Sequence, residues 1–156
     1  MPTVKPIPDG YNSVTPYLII GEGRATEALD FYARAFDAKE ILRMPRPDGG
    51  IMHAEIRLGD SVVMLADEAP KTEAFGPGHY GGSPITLYVY LPDVDATAKQ
   101  AEAAGATVIR PVADQIYGDR TAGLQDPFGY RWYLATHVRD VSMEEMQQQM
   151  SATASA

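Results

Sequence analysis

The sequence has no cysteine among its 156 residues. That excludes a disulfide framework, a thiolate nucleophile and any zinc site built on thiolates. Histidine is scarce, at His53, His79 and His137, and tryptophan occurs once, at Trp132. Basic residues are few: 13 Lys and Arg against 21 Asp and Glu leave a formal net charge of −8 and a pI near 4.7, with no basic block. Phosphate backbones and anionic lipid surfaces reward clustered Lys and Arg, so neither nucleic acid nor membrane is an expected partner. No apolar run approaches the ~20 residues of a spanning helix. The Pro-rich start, MPTVKPIPDGY, lacks the apolar stretch of a signal peptide. No P-loop, GxGxxG fingerprint, nucleophile elbow or HExxH motif is present. The expectation is a soluble, cytoplasmic, acidic protein of one ordinary domain, or of two small half-domains sharing a sheet.

The most informative stretch is 126–134, DPFGYRWYL. Asp126-Pro127 opens a tight turn, Gly129 permits a positive φ, and the aromatic alternation that follows suits a half-buried strand. Before it, residues 1–12 read as an extended arm, because Pro2, Pro6 and Pro8 forbid helix. A strand over 13–20 leads to a helix over 25–36, where Ala28, Leu29, Tyr32 and Phe36 recur at helical spacing and Thr26 can serve as N-cap. Strands follow over 39–44, 51–58 and 61–66, the last two joined by the hairpin turn Gly59-Asp60. Residues 69–84 are rich in Pro and Gly and read as a linker, with 75–82 a candidate lid over a cleft or a plain connection.

The pattern then restarts: strand 85–91, an Ala-rich helix 94–104 between Asp93 and Gly105, and strands 107–111, 119–125 and 130–137. Both halves read β-α-β-β-β, and Gly59 and Gly129 sit seventy positions apart, each ahead of a final strand. The division is an arm (1–12), a first module (13–68), a linker (69–84), a second module (85–138) and a C-terminal segment (139–156). In the last, Ser142 and Glu145 form a capping box for a short helix with a methionine stripe, and the tail SATASA reads as disordered.

Two such units, carrying ALDFYARAF, HAEIRLGDSVVMLADE and DRTAGLQDPFGYRWYLATH, resemble the vicinal oxygen chelate superfamily (glyoxalase, bleomycin-resistance protein, dioxygenase), and within it the PhnB-like branch, over about residues 13–140. The resemblance implies an α+β fold in which two βαβββ modules form curved mixed sheets around a concave cleft, with helices on the convex side. It also implies a homodimer, with modules paired within a chain or exchanged between chains. Metal-dependent members place one ligand on the first and one on the last strand of each module. Here those positions fall near Thr15 or Tyr17, Val63, Thr86 and Tyr133, none of them His, Asp or Glu. Hydroxyls are poor substitutes for imidazole or carboxylate, so no metal cofactor is expected at the family's positions.

Alternation assigns Met52, Ala54, Ile56, Leu58, Val62, Met64, Trp132 and Leu134 to the core. It turns His53, Glu55, Arg57, Val63, Arg131, Tyr133 and His137 the other way, together with Thr15, Tyr17, Thr86, Tyr88 and Tyr90. These tyrosines either line an aromatic, hydroxyl-rich cleft or are ordinary half-exposed strand residues. His53, Glu55 and His137 have the composition of an iron facial triad, or are polar residues paired with Arg57 or Arg120. Arg120 can clamp a carboxylate or phosphate ligand, or pair with Asp119 or Asp126. Asp67-Glu68 reads as a solvated rim.

Three functions follow. One is metal-free binding of a small aromatic or cationic molecule in the cleft at Thr15, Tyr17, His53, Glu55, Thr86, Tyr88, Tyr90, Arg120 and Tyr133. The second is a metal-dependent lyase, isomerase or dioxygenase using a non-standard site, with a divalent metal as cofactor. The third is a metal-free enzyme with His53 or a tyrosine as acid or base.

Overall fold

The two repeated patterns fold as two units of the same topology in the structure, a computed structural model that describes residues 4–154. The first holds strand β1 (Tyr17–Ile20), helix α1 (Ala25–Phe36) and strands β2 (Lys39–Pro45), β3 (Ile51–Leu58) and β4 (Ser61–Asp67). The second holds β5 (Thr86–Tyr90), α2 (Val94–Ala104), β6 (Thr107–Asp114), β7 (Asp119–Gln125) and β8 (Arg131–His137), and is followed by α3 (Met143–Ala154). Each unit makes one four-stranded mixed sheet, ordered β1-β4-β3-β2 and β5-β8-β7-β6. In both, the first strand runs parallel to the last and the remaining pairs are antiparallel. The protein is therefore of the α+β class.

The two helices pack on each other, and the apolar face of each sheet closes on them. Leu18, Ile20, Ala54, Ile56, Val63 and Leu65 from the first sheet join Ala122, Leu124, Trp132 and Leu134 from the second in a single core. Trp132 of β8 crosses to α1, with its ring 5.3 Å from that of Tyr32 and 4.8 Å from that of Phe36. The core is thus shared by both units, and the other face of each sheet points away from it.

The turn ahead of β8 fastens this arrangement. Asp126 is 5% exposed and accepts four hydrogen bonds. Its Oδ1 takes the backbone N–H groups of Phe128 and Tyr130, both at 2.9 Å, and its Oδ2 takes Tyr32 Oη–H at 2.8 Å and Trp132 Nε1–H at 2.9 Å. The Tyr130 hydroxyl meanwhile bridges Ile19 N–H and Ile19 C=O of β1, each at 2.9 Å. The DPFG turn therefore ties the second unit to the helix and first strand of the first.

Several expectations need correction. Met64 lies on the outer face and Val63 on the core face. Leu58 pairs with Ser61 across the two-residue turn, so Ile56 stands opposite Val63 and Ala54 opposite Leu65, and cross-strand partners share a face. Met52 is 53% exposed, because a register shift after Met44 leaves it at a bulge and brings Ile51 into the core. Thr26 does not cap α1. Asp67 does, its Oδ1 accepting from Ala25 N at 2.8 Å and its Oδ2 from Ile51 N at 2.7 Å. Asp67 is 4% exposed, not a solvated rim. In the second unit Thr136 Oγ1 does the same for Val94 N at 2.9 Å. Asp93 caps α2 as expected, accepting from Ala96 N. The segment SATASA is helical as far as Ala154, and 155–156 lie outside the described residues, as do 1–3 of the arm.

Candidate functional site

The outer faces carry the polar and aromatic residues that alternation placed there. They form two separate groups, one on each sheet. On the first sheet, Tyr17 of β1 and Glu55 of β3 both stand beside Met64 of β4. Tyr17 Oη donates to His53 Nδ1 at 2.9 Å, and His53 Nε2 lies 3.0 Å from Glu55 Oε1. An ionised Glu55 only accepts, so it fixes the proton on Nε2 and leaves Nδ1 as acceptor for Tyr17. Glu55 is 6% exposed, and its second oxygen accepts from the hydroxyl of Tyr11 in the N-terminal arm. Burial pushes the Glu55 carboxyl up, but the hydrogen bonds from His53 and Tyr11 outweigh it and hold the group below the usual carboxylate value. Burial, and then the Glu55 charge, push the Tyr17 phenol up, so Tyr17 stays protonated and acts as a donor. Thr15 borders the same hollow as Glu55 and Met64.

On the second sheet, Tyr88 of β5 stands opposite Tyr133 of β8, which stands opposite Gly123 of β7. The Tyr88 and Tyr133 rings are nearly parallel, 7° apart in plane and 6.4 Å between centroids, and the Tyr90 ring is 5.4 Å from that of Tyr88. With no side chain at Gly123, Arg110 comes across from β6 to lie 5.5 Å over the Tyr133 ring. Thr86 is exposed at the edge of this wall.

A carboxylate lies at one end of the wall. Asp119 is 3% exposed and accepts from Tyr90 Oη at 2.8 Å, from Tyr88 Oη at 3.4 Å and from His137 Nδ1 at 2.7 Å. His137 Nε2 lies 3.1 Å from Asp140 Oδ1. Burial raises Asp119, but its bonds to His137 and Tyr90 prevail and hold it below the ordinary value. Asp119, then Asp140, pull the His137 imidazole above 6.5. Burial, followed by a hydrogen bond with Tyr117, raises the Tyr88 phenol. The wall therefore presents the Tyr88 and Tyr90 hydroxyls to a carboxylate that His137 also binds.

Arg120 does not join either group. It sits opposite Thr136 on the helix side of β7 and is held by Asp95 of α2 at 2.7 and 2.8 Å and by Asp114 at 3.0 Å. Nor does His137 meet His53 and Glu55, since it stands on the other sheet. The 75–82 segment lies at the DPFG turn, away from the tyrosines. Phe75 stacks on His79 at 3.9 Å, and Gly76 N donates to Glu68 Oε1 at 2.8 Å. Asp119 and Tyr11 were missed as site residues. The signal for Asp119 was its place after Gly118 at the start of an outward-facing strand; Tyr11 had none beyond being the arm's one aromatic side chain.

The four positions where a family metal would be ligated can be tested directly. Met64 faces Tyr17 as Tyr133 faces Tyr88, so the last-strand position of the first unit is Met64 rather than Val63, and the first-strand position of the second unit is Tyr88 rather than Thr86. A thioether and three phenols do not fit a divalent cation of the oxygen- and imidazole-binding kind. Among the described residues no group of three or more His, Cys, Asp or Glu side chains is arranged to hold a metal ion. Protein dialysed and then reloaded with Ni, Zn, Fe or Mn should retain far less than one equivalent by elemental analysis. Near-stoichiometric retention, lost on His53→Ala, would contradict this.

A βαβββ unit repeated in one chain, with the same strand order in each half, defines a protein of paired modules. The chain belongs to the Glyoxalase/Bleomycin resistance protein/Dioxygenase superfamily, whose sequence profile matches residues 15–134. It is similar to an uncharacterized protein of Mycobacterium bovis, 41% identical over 143 residues that cover 90% of this chain and 93% of the relative. Among solved structures it is similar to TioX from Micromonospora, with TM-score 0.63 and 27% identity over 81% of this chain and 100% of that one. A PhnB protein from Bacillus cereus shares the fold, with TM-score 0.61 at 22% identity over 80% and 99% of the two chains. Among the described residues no helix is long and apolar enough to cross a membrane.

Proposed function

We propose that the protein binds a small, planar, cationic aromatic molecule on the outer face of its second sheet, without a metal cofactor. One observation carries this reading: three tyrosines, Tyr88, Tyr90 and Tyr133, flank the buried Asp119 carboxylate. Phenol rings offer π faces to a flat cation, the carboxylate favours its positive charge, and a net charge of −8 draws cations toward the chain. Arg110 over Tyr133 shows a cation already using such a face. The reading includes a cytoplasmic location and a homodimer, since each outer face is open in the single chain and a second copy would wall it in.

Fluorescence titration with proflavine, a planar aromatic cation, against the uncharged acridone tests it. Tyr88→Ala should weaken proflavine about tenfold, from the ~0.5–2 kcal/mol of a cation–π contact. Asp119→Asn should weaken proflavine and leave acridone unchanged. As pH rises through the elevated His137 value the imidazolium loses its charge, the group with Asp119 and Asp140 becomes more negative, and proflavine should bind more tightly. Over that window stability moves the other way. A raised histidine contributes fully below its unfolded value of 6.5 and ceases to contribute as pH passes the folded one. Equal proflavine affinity in wild type and Tyr88→Ala would sink the proposal.

A further inference from the structure

We infer that Glu55 is the acceptor of a second ligand site, one that takes a phenolic hydroxyl, and that Tyr11 fills it as an internal stand-in. A carboxylate in the middle of a sheet face, 6% exposed, is costly unless both oxygens are satisfied. His53 satisfies one oxygen at 3.0 Å from within the same strand. The other is satisfied by a phenol from a segment that belongs to no helix or strand.

That segment has little else to hold it. Arg57 Nη1 donates to Gly10 C=O at a long 3.3 Å. The Lys5–Asp9 ion pair at 2.6 Å and the Tyr11 N to Pro8 O bond at 3.2 Å lie within the arm itself. Its apolar side chains are not packed away: Val4 is 92% and Ile7 48% exposed. The arm thus delivers one hydroxyaryl group to one buried acceptor.

The surroundings set the ligand class. Under the arm lies a hollow of ≈510 Å³ bordered by Pro6, Pro8, Tyr11, Thr15, Glu55 and Met64. Proline rings and a polarisable thioether suit an aromatic body, and an anionic acceptor demands a donor at its end. A carboxylate ligand is excluded by like charge. His53 Nε2–H holds one Glu55 oxygen, and the other is the oxygen that Tyr11 occupies. This site shares no residue with the tyrosine wall, so it stands or falls apart from that reading.

The test uses the full chain and para-cresol as probe, with para-methylanisole, its methyl ether, as the comparison that keeps shape and loses the donor. Calorimetry should show Tyr11→Ala binding para-cresol at least about tenfold more tightly than wild type, the range of a hydrogen bond to a charged group. The methyl ether should show no such gain, and adding Glu55→Gln to Tyr11→Ala should abolish it. The ether comparison needs no change at Glu55, so it holds even if that variant folds poorly. A gain that appears only as chains associate at high concentration would assign the site to a tyrosine of a second copy instead, and overturn a free phenol. No gain in a Tyr11→Ala protein with unchanged circular dichroism, or an equal gain for the ether, would also overturn the inference.

Discussion

Asp126→Ala should cost about 3–5 kcal/mol of unfolding free energy by denaturant titration, a large share of the ~5–15 kcal/mol that holds a domain of this size. Four donors lose their acceptor at once: the buried Trp132 indole, the Tyr32 hydroxyl and the backbone N–H groups of Phe128 and Tyr130. Each donor left unsatisfied away from water costs ~1–3 kcal/mol. Relief of the carboxylate's own burial, which pushes Asp126 up against the four bonds favouring its charged form, offsets part of the loss. Asp126→Asn separates the contributions. Its carbonyl can still serve the two backbone donors, while its amide turns N–H groups toward the Trp132 and Tyr32 donors. The expected loss is then intermediate, about 2 kcal/mol. Trp132 and Tyr32 come from different units and meet in the shared core, so near-UV circular dichroism of the lone tryptophan should collapse along with the stability. A loss under 1 kcal/mol for Asp126→Ala would mean that the turn does not join the units.

What the sequence made legible is what depends on neighbours along the chain. The extent of α1 follows from its apolar stripe, the cap of α2 from Asp93, and the outward face of β8 from simple alternation. The phase of β4 was also accessible. A two-residue turn at Gly59-Asp60 forces Leu58 opposite Ser61 and therefore Ile56 opposite Val63, a constraint that alternation taken strand by strand ignores. The bulge at Met52 was not accessible, since nothing local distinguishes it from a regular strand residue. Long-range pairings were lost altogether. Arg120 looked free to meet a ligand because Asp95 stands twenty-five positions earlier, on a helix whose approach to β7 is set by core packing. Tyr11 meets Glu55 across forty-four positions, and proline content said only that its segment is not helical. The candidate cleft resolved into two faces for the same reason: alternation fixes the side of a strand, whereas the shared core decides which sides can face each other.

Gly118→Ala should disable the tyrosine wall of the second sheet from behind. Gly118 sits at φ +95, a conformation that strains any side-chain-bearing residue, and a Cβ there would lie 2.0 Å from the Arg139 carbonyl oxygen and 3.0 Å from Val141 Cγ2. A backbone oxygen cannot swing aside as a flexible side chain would. The chain after β8 must therefore move, although Gly118 C=O holds it through Val138 N at 2.9 Å and Arg139 N at 3.1 Å. Steric overlap and backbone strain together should cost about 3 kcal/mol. The more telling consequence is electrostatic. Asp119 and His137 are cross-strand partners next to this clash, and their 2.7 Å contact is what raises the imidazole. If 138–141 is pushed away, both Asp119 and Asp140 lose their grip on His137, and its titration by proton NMR should fall back toward 6.5. Proflavine affinity should then lose its rise across the higher window, and Tyr90 should lose the fixed acceptor that orients its hydroxyl. Wild-type stability together with a still-elevated His137 in Gly118→Ala would show that the Arg139 carbonyl does not press on this glycine. The Asp119–His137 pair would then owe its geometry to the sheet alone.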